Sequence, residues 1–70
     1  MSGQIAISVN GETRQMPEGA TVAQLLTAIG LDTRKVAVER NEEIVPRSTY
    51  AAVVLAQGDA LEIVHFIGGG

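Results

Sequence analysis

The chain has no cysteine and a single histidine among its 70 residues. A disulfide is therefore excluded, and so is a thiolate or multi-histidine zinc site. The lack of cysteine fits the reducing cytoplasm, the location expected for this protein. Aromatic residues are almost missing: one tyrosine, one phenylalanine and no tryptophan. Basic residues are few and scattered. With five Lys and Arg against eight Asp and Glu, the formal charge is −3. Nucleic acid needs clustered Lys and Arg for its phosphates, so it is not an expected partner. A partner with a basic surface suits this charge better. No apolar run approaches the roughly 20 residues of a membrane helix. The opening Met-Ser-Gly-Gln lacks the basic and apolar regions of a signal peptide.

What is present is a dense apolar fraction, 46% of the chain, in one domain-sized length. Ile5, Ile7 and Val9 alternate with Ala6, Ser8 and Asn10, the period of a strand with one face buried. Asn10-Gly11 is a strong hairpin signal, because both residues tolerate positive φ. A two-residue turn puts Glu12, Arg14 and Met16 on the face of Val9, Ile7 and Ile5. Only Met16 is apolar, so the second strand is expected at an exposed edge, ended by Pro17; the alternative is a bulge that resets the register.

Thr21 and Gln24 have the spacing of a capping box. Val22, Leu25, Leu26 and Ile29 form one helical stripe, and Gly30 with Leu31 supplies a C-terminal stop. "KVAVER" reads as a third strand with Val36 and Val38 inward. Asn41-Glu42 turns into a short fourth strand, "EIVP". "RSTYAAVV" reads as a short helical turn with Ser48 as N-cap and Tyr50, Val53 and Val54 in a minor core. Gln57–Asp59 is a turn, and "ALEIVHF" is the last strand. Placing that strand beside the first, under the one long helix, buries every stripe. The expected fold is α+β: a ubiquitin-like β-grasp, with a mixed four- to five-stranded sheet on one main helix. Residues 1–66 form the domain, and 67–70 form a free, flexible glycine tail.

Catalytic sets are missing. The terminal glycines precede no helix, so they make no phosphate loop. His65 has no nucleophile at a recognisable spacing and reads as a surface strand residue. Glu42 and Glu43 read as solvated charge, and Tyr50 as packing. What stands out is the ending, where the strand Leu61–Phe66 runs almost directly into Gly68, Gly69 and Gly70. A carboxylate on Gly70 is a group that ATP can activate as an acyl-adenylate. Glycine lacks Cβ, so Gly68–Gly70 suit passage through a narrow cleft. Extended, Ile67–Gly70 reach about 13–14 Å. Ordering such glycines costs roughly 1–2 kcal/mol each, which a docking surface on the body must offset. With Leu61 and Ile63 facing the helix, Glu62, Val64 and Phe66 face the open side, and Ala37 joins them. We read Ala37, Glu62, Val64, Phe66 and Ile67 as that docking surface. The competing reading is that Phe66 only covers the sheet's end.

"VNGE", "GATVAQLL", "AVERNEEIVPRSTY" and "GDALEIVHFIGGG" together resemble the ThiS family, the sulfur carriers of thiamine (thiazole) biosynthesis. The family ends in Gly-Gly, and Gly68 adds a third glycine here. The resemblance implies a carrier that is a co-substrate and not an enzyme, a monomer alone, with no cofactor of its own. A ThiF-like adenylating enzyme would use ATP and magnesium to activate the Gly70 carboxylate. A cysteine desulfurase system would supply sulfur for a thiocarboxylate, and the thiazole synthase ThiG would accept it. The alternatives are a MoaD-like molybdopterin carrier, a ubiquitin-like protein modifier, or a β-grasp binding module with an inert tail.

Overall fold

The computed structural model describes residues 3–66. Five strands form one sheet: β1 (Gln4–Val9), β2 (Glu12–Pro17), β3 (Val36–Arg40), β4 (Glu43–Val45) and β5 (Ala60–His65), in the order β2-β1-β5-β3-β4. The β1–β5 pair is parallel and the others are antiparallel. Helix α1 (Val22–Ile29) covers one face. This is the expected mixed sheet, with the last strand beside the first.

The first hairpin closes in the expected register. Ile5 faces Met16, Ile7 faces Arg14 and Val9 faces Glu12. Asn10 (φ 51°) and Gly11 (φ 86°) both take the left-handed turn that Asn-Gly accommodates. No bulge is needed: β2 is an edge strand, and Met16 is its one buried residue.

Helix α1 leaves no backbone donor idle in its first turn. The Val22 and Ala23 N–H groups donate to the carbonyls of Val53 and Tyr50. Gln24 N–H donates to Thr21 Oγ1 at 3.2 Å, and Thr21 N–H donates to Gln24 Oε1 at 2.9 Å. The capping box therefore works together with the 46–55 segment to satisfy donors that a helix N-terminus always strands. At the other end Gly30 is left-handed, and the Gly30 and Leu31 N–H groups both return to the Leu26 carbonyl. Val22, Leu25 and Leu26 are fully buried against Val36, Val38 and Leu61 of the sheet. Truncating either leucine to alanine would cost about 2–5 kcal/mol, a large share of what so small a core supplies.

The segment after β4 departs from the sequence reading. The helical turn spans only Arg47–Thr49, and Pro46, which makes no side-chain cap, stands where Ser48 was expected to cap. Residues 53–55 are extended: Thr21 and Val54 form an antiparallel bridge, and Leu55 N–H donates to the Ala20 carbonyl. Extended geometry alternates faces, so Leu55 is buried and Val54 points out, 53% exposed. Tyr50 is buried as expected, and Val53 packs partly against the core.

A polar cluster closes the sheet's far end. Asp59 is buried, yet its carboxylate accepts from Arg40 Nε (2.9 Å), Asn41 Nδ2 (3.0 Å) and Ala56 N–H (2.8 Å). Asn41 Oδ1 in turn accepts from Ala60 N–H. Burial alone pushes the Asp59 carboxyl up. The bonds from Asn41 and Ala56 and the charge of Arg40 outweigh that and hold it below its ordinary value. The cluster ties the β3–β4 turn to the turn before β5.

Candidate functional site

The sheet has one covered face and one open face, and strand alternation sorts residues between them. On β5, Leu61 and Ile63 face α1, while Ala60, Glu62 and Val64 face outward. On β3, Val36 and Val38 are inward, and Ala37 and Glu39 outward. Ala37 stands opposite Val64, and Glu39 opposite Glu62. Phe66 follows β5 on the open side and is 50% exposed, and Val64 is 60% exposed. The structure thus brings Ala37, Glu62, Val64 and Phe66 together on one exposed surface. Ile67, Gly68, Gly69 and Gly70 lie outside the described residues.

Two further residues belong to this surface and were not singled out in the sequence. Ile44 on β4 pairs with Glu39 and is 76% exposed. Its signal was legible: a two-residue turn at Asn41-Glu42 pairs 38 with 45 and 39 with 44, so an inward Val38 forces Ile44 outward. Glu39 follows by the same alternation.

The edge of this surface nearest residue 67 is held firmly. Phe66 N–H donates to the Lys35 carbonyl at 2.8 Å, extending the β3–β5 ladder by one step. Lys35 ends a 3₁₀ turn, Thr33–Lys35, that Asp32 caps through Arg34 N–H. The Arg34 guanidinium also grips Asp32 in a two-pronged pair at 3.1 and 3.0 Å. That side-chain bond, with the backbone bond, brings the Asp32 carboxyl down to about 2. The last described residue is thereby fixed to the body.

The residues set aside in the sequence are exposed or packed in the core. His65 is exposed and borders a cleft with Ile29 and Leu31. Glu42 and Glu43 are exposed, and Tyr50 is packed in the core. Among the described residues, no three His, Cys, Asp or Glu side chains converge as a metal site, and no helix is long and apolar enough to cross a membrane.

Comparison with known proteins decides the family. The ThiS family model matches residues 4–70. The sulfur carrier protein ThiS of Bacillus subtilis is 38% identical over 65 residues, covering 91% of this chain and 98% of that protein. This chain belongs to the ThiS family. The crystal structure of the thiamine biosynthesis protein ThiS from Geobacter metallireducens superimposes with a TM-score of 0.79 at 33% identity, over 94% of this chain and all of that one. The β-grasp fold is therefore that of ThiS. A thiazole synthase of Paramagnetospirillum magneticum is 60% identical over 62 residues, which is 89% of this chain and 19% of that protein. The chain thus spans about a fifth of the length of that relative.

Proposed function

We propose that this chain is a cytoplasmic sulfur carrier of thiamine thiazole synthesis, a protein co-substrate with no catalytic set of its own. In this reading the Gly70 carboxylate attacks the α-phosphate of ATP, held with magnesium in a ThiF-like enzyme. Pyrophosphate leaves and an acyl-adenylate remains. A persulfide sulfur from a cysteine desulfurase system then attacks the carbonyl carbon. AMP departs, and reductive cleavage of the S–S bond by a thiol leaves the thiocarboxylate. Thiazole synthase takes the sulfur.

The observation that carries this reading is the open face of the sheet. A ThiS-like body places Ile44, Ala37, Val64 and Phe66 on one exposed apolar surface. That surface reaches the residue just before the Ile67–Gly70 sequence. Body and tail divide the work. The face supplies binding free energy, and the Ile67–Gly70 sequence, long enough to span about 13–14 Å when drawn out, supplies reach. A protein named thiazole synthase carries a segment 60% identical to this chain in about a fifth of its length, which supports the same partner.

Deletion of the gene tests the assignment. The account expects a thiamine requirement that the full chain relieves and a chain lacking Gly70 does not. Growth of the deletion strain without thiamine would overturn it. Lysine-linked conjugates of the chain would favour a protein modifier instead.

A further inference from the structure

Glu39 and Glu62 stand directly opposite each other in the middle of the open face. Their pairing class follows from the ladder. The Phe66-to-Lys35 and Asn41-to-Ala60 bonds mark 35/66 and 41/60 as hydrogen-bonded positions. Alternation makes 39/62 one as well, with Cα atoms about 5.5 Å apart. Two carboxylates facing each other across neighbouring strands repel. No ion pair among the described residues relieves this repulsion. Among the described residues the ion pairs are Arg34–Asp32 and Arg40–Asp59, so the nearby guanidinium of Arg40 is committed elsewhere. Around the two carboxylates lie apolar groups: Ile44 beside Glu39, and the Ala37–Val64 pair one step along. An unrelieved like-charge pair bordered on two sides by exposed apolar side chains is the complement of a cation set beside an apolar patch.

We propose that this face docks on a surface of thiazole synthase that offers an arginine or lysine to Glu39 and Glu62, with apolar side chains meeting Ile44 and Val64. The proposal rests on the carrier reading above and adds what the partner must present. It also explains why two acidic residues sit beside the apolar side chains of this surface. They make the free carrier less content with its own face and a basic partner more selective for it.

The test is calorimetric titration of the full chain into purified thiazole synthase of the same organism, at low and at physiological salt, with thermal unfolding in parallel. Glu39→Gln and Glu62→Gln are each expected to weaken binding about tenfold at low salt and to flatten its salt dependence. Neither should lower the unfolding temperature, because each removes half of a repulsive pair. Glu12→Gln, the same charge change on β2, should bind as the unaltered chain. If the two face variants bind normally while Val64→Asp abolishes binding, the face docks without reading its carboxylates and the proposal is overturned alone. Lowered unfolding temperatures for both would equally overturn it, by showing that the carboxylates serve the fold. If Val64→Asp also binds normally, or the unaltered chain does not bind, the docking reading itself falls.

Discussion

The Asn10 side chain brackets the backbone of Ile63: Oδ1 accepts from Ile63 N–H at 2.8 Å, and Nδ2 donates to the Ile63 carbonyl at 3.2 Å. Paired residues of β1 and β5 end at Val9 and Leu61, and the amide replaces the next backbone step with a side chain. Asn10 therefore performs two tasks, turning the first hairpin at positive φ and holding β5 where it approaches the open end. The two tasks separate by mutation. Asn10→Gly loses only the bracket, about 1–2 kcal/mol. Asn10→Ala also pays the left-handed penalty, about 1 kcal/mol more. Urea unfolding of both variants checks this. Equal losses would remove φ from the explanation, and no loss in either would remove the bracket.

Asp59 should make stability fall in acid. Its carboxyl is held below the ordinary value in the folded state, so its contribution is complete above the unfolded value, about 3.9. It fades as pH drops through the folded value. Asp59→Asn is expected to cost about 1–3 kcal/mol at neutral pH, or about 4–8 °C of unfolding temperature per kcal/mol. It should also flatten the acid limb of the stability profile. A profile of unchanged slope would place the acid sensitivity elsewhere.

Thr21→Ala should cost about 1 kcal/mol through the lost cap. Because Val53 and Tyr50 carbonyls still hold the Val22 and Ala23 donors, the helix should survive. Thiocarboxylate yield should not change. Loss of helical circular dichroism on this single substitution would contradict the accounting of donors.

Strand alternation made most of this molecule legible before any coordinates. The inward Val36 and Val38 and the outward Val64 follow from a period of two with one buried face, and the Asn10-Gly11 turn follows from two residues that tolerate positive φ. The capping box was readable because its two residues are neighbours in sequence. The cap at Ser48, the helical reading past Thr49 and the burial of Val54 were misread for the opposite reason. The spacing of Tyr50, Val53 and Val54 fits a helical face, but the Val53 carbonyl and Leu55 N–H pair with Val22 and Ala20, more than thirty residues away in the chain. Contacts that distant leave no local period. Glu39 and Glu62 are 23 positions apart, and their opposition exists only once the β3–β5 register is set.

Phe66 separates docking from folding. Half of it is exposed, so Phe66→Ala should leave stability within about 0.5 kcal/mol, as surface changes do. Binding to partner enzymes should weaken by about 1 kcal/mol or more, the loss expected of a contact aromatic. A collapse in unfolding temperature would instead assign Phe66 to the core. In the tail, Gly70→Ala adds a Cβ next to the reacting carbonyl and should slow adenylation while leaving the unfolding curve unchanged. Normal thiocarboxylate yield from that variant would falsify the threading argument.

The central claim is that the carboxylate of Gly70 is the group that carries sulfur. Intact-mass analysis after incubation with a ThiF-like adenylating enzyme, ATP, magnesium and a sulfide source measures it directly. The account predicts exchange of one oxygen for one sulfur, located by fragmentation at the last residue. An unchanged mass with an active adenylating enzyme, or sulfur placed anywhere else in the chain, would contradict it.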